Sequence, residues 1–519
     1  MADEPQAISV GELRKSGIVR LKEQDMFSVW VKTACCNLNS EQLRKLADIT
    51  EKYGRGYLLF TTRQIPIIPF VKLNDLEAVR EELSEVYMWL DRCGPTVRNV
   101  NVCYNDSTCP QAVTNAIPLA EKLDNFFYQP LTHKLKLGVA GCKQDCIISR
   151  VLADIGFIGV ERDGRRGYDV YVGGRLGLNP AVGVKMADCL GEEECLRLVQ
   201  NAFDLLKEEG KAEERCADLI NRLGVARVKR EVNRNLQEGL VPEPIACPTH
   251  SQEKVTDKII LRIRATCGEV TAQQLRKIAD VAQGYGQGFV HFSVRGAPEI
   301  PGVAAGQLES IKKELSGVDL SVLDKGIDNL QSCFGNYCTE GNMDPQSLLR
   351  RVEELTKEMD LNNQNIKVSA SGCPNSCGIA HLNDIGFMGV VGPVIDEIKC
   401  NGCDLCVPIC KRKAITMKDG LAVIDKEQCV NCGQCIAVCP FDAIVEARRG
   451  FAVLVGGKEG EDTRLGRLIG EFLSEEEALE VAEGVLKLLK ERGTNAADII
   501  DEVGGLEKFK EMVPGTGQL

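Results

Sequence analysis

At 519 residues the chain has room for roughly two to four domains, and its 44% hydrophobic and 27% charged residues are ordinary for a globular protein with large cores. A formal charge of −12 speaks against a nucleic-acid partner, which needs a basic field. No run approaches the roughly 18 apolar residues of a membrane span. The opening "MADEPQAISVGELRKSG" puts acidic residues where a secretory leader needs basic and then apolar ones. Many of the 24 cysteines fall at two- and three-residue intervals, which is ligand spacing rather than a disulfide framework. A reducing, cytoplasmic setting is expected.

Along the chain, "QLRKLADITEKYGRG" (Gln42 to Gly56) has the apolar period of an amphipathic helix, and Tyr57 to Ile68 is a strand-like run. Cys103 and Cys109 follow, then Lys134-Leu135-Lys136, then Cys142 and Cys146. Lys-x-Lys on a strand puts both ammonium groups on one face, although a basic strand by itself is more often a solvated surface. "YDVYVGGRLG" (Tyr168 to Gly177) ends the first stretch, and the proline-bearing polar segment 239–257 reads as a linker.

Beyond the linker the order repeats. Gln42 to Gly56 recurs as Gln274 to Gly288, 232 positions later. Cys333 with Cys338 and Cys373 with Cys377 answer the earlier cysteine pairs, the first pair one residue shorter in its spacing. Asp154 matches Asp384 at an offset of 230, yet Tyr168 matches Phe451 at 283, so about 53 residues have entered the second copy. Two independent tandem domains are the plainer alternative to a duplicated unit with pseudo-two-fold symmetry. Helical patterns alternating with short β-branched runs predict an α+β fold.

The added residues hold Cys400, Cys403, Cys406 and Cys410, then Cys429, Cys432, Cys435 and Cys439, each run spaced C-x2-C-x2-C-x3-C. This is the two-cluster bacterial ferredoxin pattern, in which the fourth cysteine of each run serves the other cluster. One 4Fe–4S set is then Cys400, Cys403, Cys406 and Cys439, and the other Cys429, Cys432, Cys435 and Cys410. Zinc needs four ligands and no doubled run. Outside the insert, Cys333, Cys338, Cys373 and Cys377 form one further four-thiolate set, and Cys103, Cys109, Cys142 and Cys146 another. Ser149 and Ala380 break the C-x3-C-x2-C of radical-SAM enzymes. Cys35, Cys36, Cys93, Cys189, Cys195, Cys216, Cys247 and Cys267 lack ligand spacing and read as ordinary buried residues.

"GCPNSCG" (Gly372 to Gly378), "TTRQ" (Thr61 to Gln64), the paired cysteines, the "VGG" strands and the duplicated layout together resemble the sirohaem-dependent sulfite and nitrite reductases. The inserted ferredoxin is similar to that of dissimilatory and anaerobic sulfite reductases. The resemblance implies ferredoxin-like half-domains at 27–92 and 258–320 and sirohaem/4Fe–4S domains at 93–238 and at 321–394 with 448–495. The ferredoxin would occupy 395–447, and 1–26 and 496–519 would be terminal segments. It implies a thiolate shared by cubane and sirohaem iron, Cys377 in the second copy, with Cys146 a second candidate bridge. It also implies an anion clamp of Arg63, Arg98, Lys134 and Lys136. The matching second-copy positions are Arg295, Asp328, Asn365 and Lys367, a degraded set. In that family the clamp of one half faces the centre of the other, so the second-copy centre is expected to be catalytic.

Sirohaem carries many carboxylates, so the resemblance also directs attention to basic residues around the matched motifs. These are Arg150, Arg175 and Lys458, with Arg162, Arg165, Arg166, Arg448 and Arg449 nearby. The implied chemistry is reduction of sulfite, or alternatively nitrite, on sirohaem with up to four 4Fe–4S clusters. A non-catalytic electron carrier is the alternative from another class, but such a protein needs no anion clamp. No flavin or nicotinamide fingerprint is evident, so an external donor such as a ferredoxin or a reductase subunit is expected. There is room for a homo-oligomer. His133, beside the lysines, is a candidate proton shuttle.

Overall fold

The computed structural model describes residues 10–104, 109–127, 131–238, 258–323, 326–359, 361 and 365–515. The linker expected at 239–257 lies outside them. The chain divides into two compact units, one of Met1–Arg175 with Ala181–Leu323 and one of Leu176–Pro180 with Asp324–Leu519.

In the first unit the first copy opens with β1 (Ile18–Arg20), β2 (Met26–Trp30) and β3 (Asn37–Asn39), then α1 (Ser40–Tyr53), β4 (Tyr57–Phe60) and β5 (Pro66–Lys72). Asn39 accepts the Gln42 backbone N–H at 2.8 Å while the Gln42 side chain accepts that of Asn39 at 3.0 Å, a reciprocal cap that fixes where α1 begins. The chain continues through β6 (Asn101–Val102), β7 (Leu137–Ala140), β8 (Ile155–Arg162), β9 (Arg165–Val172) and β10 (Val184–Leu190). The second copy of the half-domain has β11 (Lys258–Arg262), β12 (Glu269–Thr271), α2 (Ala272–Tyr285), β13 (Phe289–Phe292) and β14 (Pro298–Ala304). Its helix carries the same cap, made by Thr271 and Gln274.

The half-domains exchange strands. β12 pairs with β4 from Thr271↔Tyr57 to Glu269↔Leu59, and β3 pairs with β13 from Asn39↔Phe289 to Asn37↔His291. Each exchange covers a sheet edge that would otherwise leave backbone N–H and C=O groups unpaired. Leu43, Leu46, Leu275 and Ile278 join one apolar core with Phe60 and Phe292. Those two rings are repeat-related and stack with centroids 3.9 Å apart. Arg44 bonds Asp280 at 2.8 Å and Arg276 bonds Asp48 at 2.7 Å, the same contact seen from each side of a pseudo-dyad. The half-domains are therefore not independent tandem modules.

The sequence run Tyr57 to Ile68 is one strand-like stretch, but the structure bends it into β4 and β5 at Thr61 to Ile65. Gln64 sits at the bend with φ +57°, and its side chain bonds Val102 O at 2.9 Å, Val102 N at 3.0 Å and Phe292 O at 2.6 Å. A buried amide that satisfies three backbone groups locks this turn to β6 and β13.

The second unit repeats the later sheet. β15 (Gln331–Ser332), β16 (Val368–Ser371), β17 (Ile385–Ile395), β18 (Ile444–Val455) and β19 (Arg467–Leu473) lie in the order β15-β16-β17-β18-β19. The first copy has β6-β7-β8-β9-β10 with the same parallel and antiparallel pairings. The copies differ at one hairpin. In the first, Asp163 and Gly164 join β8 to β9; in the second, the pairing runs on to Ile395↔Ile444 and the added residues occupy 396–443. Insertion at a hairpin tip leaves the sheet register intact.

The terminal segments carry regular structure of their own. Residues 10–26 contribute the helix Val10–Lys15 and β1, which pairs with β2. The helices Ala496–Glu502 and Leu506–Met512 pack into the second unit, with Ala496 N bonded to Asp384 at 2.8 Å and Phe509 fully buried. Short amphipathic helices give too little periodicity to claim them for a core from sequence.

Candidate functional site

Cys103 directly follows β6, and Cys142 and Cys146 follow β7. Because β6 and β7 are parallel neighbours, both loops leave the same edge of the sheet. Gly141 N donates to Cys103 Sγ at 2.9 Å. In the second copy Gly372 N donates to Cys333 Sγ at 3.2 Å. There the loops meet back to back: a Cβ on Gly372 would stand 2.7 Å from Gly335 Cα, so only glycine lets the cysteine pairs close on each other.

The thiols are electrostatic neighbours in the expected groups. Burial pushes the Cys333 thiol up, and Cys377, Cys373 and Cys338 push it further. In the first copy a contact with Cys103, then burial, raises Cys146, while Cys142 is raised by burial and then by Cys146 and Cys109. The raised thiols of Cys333, Cys142 and Cys146 are of the kind that bound cationic iron would relieve. The donor sets therefore fit a 4Fe–4S group.

The inserted segment groups its cysteines the same way. One cavity is lined by Cys400, Cys403, Cys406 and Cys439. A second is lined by Cys410, Cys429, Cys432 and Cys435. Burial, then Cys432, Cys429 and Cys410, push Cys435 up to about 12. In each cavity the fourth lining cysteine comes from the other run. Among the described residues no three His, Cys, Asp or Glu side chains converge tightly enough for a single metal ion. Thiols around a cavity suit a multi-iron group better than a mononuclear one.

Arg63, Arg98, Lys134 and Lys136, spread over 74 positions of sequence, come together in the first unit. Arg63 leaves the Gln64 turn and lies over the Trp30 ring at 4.6 Å. Arg98 is buried, and its Nη1 donates to Arg92 O at 2.5 Å and Cys93 Sγ at 2.8 Å. Arg63 Nη1 and Arg98 Nε are buried without a hydrogen-bond partner. Lys134 and Lys136 flank buried Leu135 on the extended chain entering β7, so both leave the same face. Burial holds the Lys134 ammonium well below the usual lysine range, and Lys136, Arg63, Arg98 and Arg215 depress it further. A cluster of cations with buried, unpartnered N–H groups attracts an anion.

Two acids lie beside this cluster; the sequence marks Asp154 only as a repeat landmark and does not mark Asp91. Asp154 is fully buried and accepts Arg215 Nε at 2.9 Å, Arg215 Nη2 at 2.8 Å and the Lys136 backbone N–H at 2.9 Å. It fixes the start of the lysine strand. Asp91 is also fully buried, with no partner for either carboxylate oxygen. Burial raises its pKa, against the pull of Lys32, Arg63 and Arg98. Its matching signal, an acid next to an aromatic strand end, is too common to single out.

At the second-copy positions Lys367 is ion-paired with Glu459, and Asp328 accepts the Asn329 N–H at 2.7 Å. The residue matching Glu459 in the first "VGG" motif is Leu176. The other basic candidates have internal partners. Arg175 bonds Asp218 and Lys458 bonds Asp498, at 2.7 and 2.8 Å, a repeat-related pair that ties the "VGG" loops to the following helices. Arg150 is buried 3.5 Å from Asp145 and stacks on Tyr171. His133 is held between Thr132 and the Lys211 carbonyl, which gives its ring a structural task.

A family model for the nitrite and sulphite reductase 4Fe–4S domain matches residues 93–240 and 324–516, and one for the nitrite/sulfite reductase ferredoxin-like half domain matches 20–86 and 250–318. The coenzyme F420-dependent sulfite reductase of Methanocaldococcus jannaschii is 29% identical over 329 residues, 61% of this chain and 52% of that protein. The chain thus spans about half the length of that relative. The chloroplastic ferredoxin–nitrite reductase of Betula pendula is 25% identical over 400 residues, 70% of this chain and 67% of that protein. The solved NirA protein of Mycobacterium tuberculosis matches 95% of this chain and 91% of its own, with TM-score 0.72 at 19% identity, a likeness of fold. Two family models in register with the internal repeat cover most of the chain, and on that ground it belongs to the nitrite and sulphite reductase family of oxidoreductases.

Proposed function

We propose that this protein reduces sulfite to sulfide by six electrons, with electrons delivered through a two-cluster ferredoxin inserted at the β17–β18 hairpin. Sirohaem and a 4Fe–4S cluster are the cofactors that membership of the family brings. When bound, they supply electrons and an open iron position. The observation that carries the reading is the gathering of Arg63, Arg98, Lys134 and Lys136 around buried, unpartnered guanidinium N–H groups. An electron carrier has no use for such a clamp.

In this reading the four cations hold the sulfite oxygens and neutralise charge that builds up as electrons arrive. Oxygen leaves as water, so the balance is HSO3⁻ with six electrons and six protons giving HS⁻ and three waters. Lys134 is suited to proton transfer, because an amine with a depressed pKa gives up its proton readily. Cys333, Cys338, Cys373 and Cys377 would hold a 4Fe–4S group, with Cys377 as the bridge to sirohaem. Cys103, Cys109, Cys142 and Cys146 fit a second group, for which Cys146 is the candidate bridge. In the second unit Lys367 is paired with Glu459, so that copy's clamp positions are weakened, and we assign the first-copy centre to structure or relay. Arg150, Arg175 and Lys458 are secondary candidates for sirohaem carboxylates.

We place the protein in a reducing cytoplasm, served by an external donor. Among the described residues no helix is long and apolar enough to cross a membrane. Nitrite is the second reading, supported by the nitrite-reducing relative that aligns with 70% of the chain.

The test is to purify the protein without oxygen, count iron and sirohaem per chain, and compare sulfite with nitrite as oxidants of a reduced dye. A protein without sirohaem would overturn the proposal. Lys136→Asn is expected to lower sulfite turnover by about 10²-fold, as for loss of one preorganised donor, and nitrite turnover less. Equal losses would remove the preference for sulfite.

A further inference from the structure

The two cysteine nests of the inserted segment have different surroundings. The nest of Cys410, Cys429, Cys432 and Cys435 is lined also by Leu178 and Pro393. Arg412 holds Leu178 in place, donating to its carbonyl at 3.3 Å and bonding the Asn179 side chain. Val391 N donates to Asn431 O at 2.8 Å. Asn342 Nδ2 donates to Cys432 O at 3.4 Å, and Asn342 N donates to Gly372 O at 2.7 Å, one residue before Cys373. This nest is the inner one, tied through Asn342 to the loop of the second-copy cysteines.

The nest of Cys400, Cys403, Cys406 and Cys439 is lined entirely by residues of Cys400 to Ile444, and Cys403 is exposed. Leu405 and Phe441 line the same cavity yet are 50% and 45% exposed, and Ile398, two residues before Cys400, is 97% exposed. Bulky apolar side chains left in water around a functional group mark an interaction surface. Glu397, Asp404 and Asp442 are exposed among them, while the cation Lys399 lies 3.6 Å from Asp396. Lys418 and Asp419, on the turn that ends at Gly420 against Gly402, add one charge of each sign. Of the basic run Lys411-Arg412-Lys413, the first two line the other nest and Lys413 N donates to Cys410 O at 2.8 Å.

We infer that the acidic, apolar face around Cys400, Cys403, Cys406 and Cys439 is the docking surface of the electron donor, and that the donor is a redox protein presenting an apolar contact ringed by lysine or arginine. The inference rests on the reading of the insert as a two-cluster module. Each encounter moves one electron from the reduced donor to the group held in this nest; no bond is made or broken, and the donor leaves oxidised. A basic rim on the donor answers Glu397, Asp404 and Asp442 and gives orientation and on-rate, while Ile398, Leu405 and Phe441 give short-range contact. An acidic ferredoxin would instead favour Lys411 and Lys413.

The probe is mitochondrial cytochrome c, a basic haem protein, added oxidised and without oxygen to the fully loaded, dithionite-reduced protein. Its second-order reduction rate is compared with that of a small viologen dye. Ile398→Lys and Glu397→Lys are each expected to slow cytochrome c reduction about tenfold at low salt. The dye rate and the cluster EPR signals should stay unchanged. Lys413→Glu is expected to leave the cytochrome c rate unchanged or raise it. If Lys413→Glu slows cytochrome c while Ile398→Lys does not, or if none of the variants changes the rate, the docking face is wrong. Iron content and EPR of the wild type test the underlying reading separately: an insert without clusters defeats that reading before any variant is compared.

Discussion

Lys134→Met is expected to lower kcat/KM for sulfite by about 10²–10³ while raising the melting temperature. The two effects have one cause. Burial and the neighbouring cations Lys136, Arg63, Arg98 and Arg215 already hold the Lys134 ammonium well below its ordinary pKa, so the folded state carries an unfavourable charge. Methionine keeps the length and removes the repulsion, with an expected gain of about 0.5–2 kcal/mol. The sign with pH follows. A lysine whose folded pKa is depressed is penalised wherever it would be charged when unfolded, so the wild type gains stability as pH rises through the folded pKa. The stabilising effect of Lys134→Met is therefore largest at low pH and shrinks as pH rises. An anion in the pocket raises the pKa again, so sulfite binding takes up a proton. Calorimetry in buffers of different ionisation enthalpy should detect that uptake in the wild type and not in the variant. A variant less stable than the wild type, with unchanged turnover, would mean that Lys134 is a structural residue and that the clamp lies elsewhere.

Asp154→Asn is expected to cost about 3–5 kcal/mol of stability, because it strands the largely buried Arg215 guanidinium without its carboxylate. The repeat supplies an internal control. Asp384 occupies the same place in the second copy and accepts the Lys367 and Ala496 backbone N–H groups at 2.9 and 2.8 Å. Asn495 stands where the first copy has Arg215. Asp384→Asn should therefore cost only about 1–3 kcal/mol, the range for loss of hydrogen bonds by a buried acceptor. Adding Arg215→Met to Asp154→Asn should recover part of the loss, since a missing pair is less harmful than half of one. Equal costs for the two aspartates, measured by denaturant unfolding of each unit, would show that the arginine is not the source.

The regular features were legible in the sequence because they depend on neighbours along the chain. Apolar periodicity marks α1 and α2, and the fixed offset between their copies revealed the duplication. Cysteine spacing gave the four groups, since a short loop can reach its partners only at set intervals. The strands that join the half-domains were not legible. Asn37–Asn39 and Glu269–Thr271 are three residues each, without alternation, and become strands only because the other copy presents an open edge. The single run Tyr57 to Ile68 hid a turn at Gln64, whose positive φ is stabilised by backbone groups some 40 and 230 positions away.

By itself, then, the sequence determined the duplicated α+β plan, the place of the insertion and the residue types of the candidate site. It could name Arg63, Arg98, Lys134 and Lys136 by motif, but not the buried Asp91 beside them, the Asp154–Arg215 anchor or the Glu459 that neutralises Lys367. Only the tertiary structure decided that Arg63 Nη1 and Arg98 Nε are buried without a hydrogen-bond partner and that Lys367 has a carboxylate in reach. Charge pairing and burial are set by packing between distant segments, and those segments leave no period in the chain to be read.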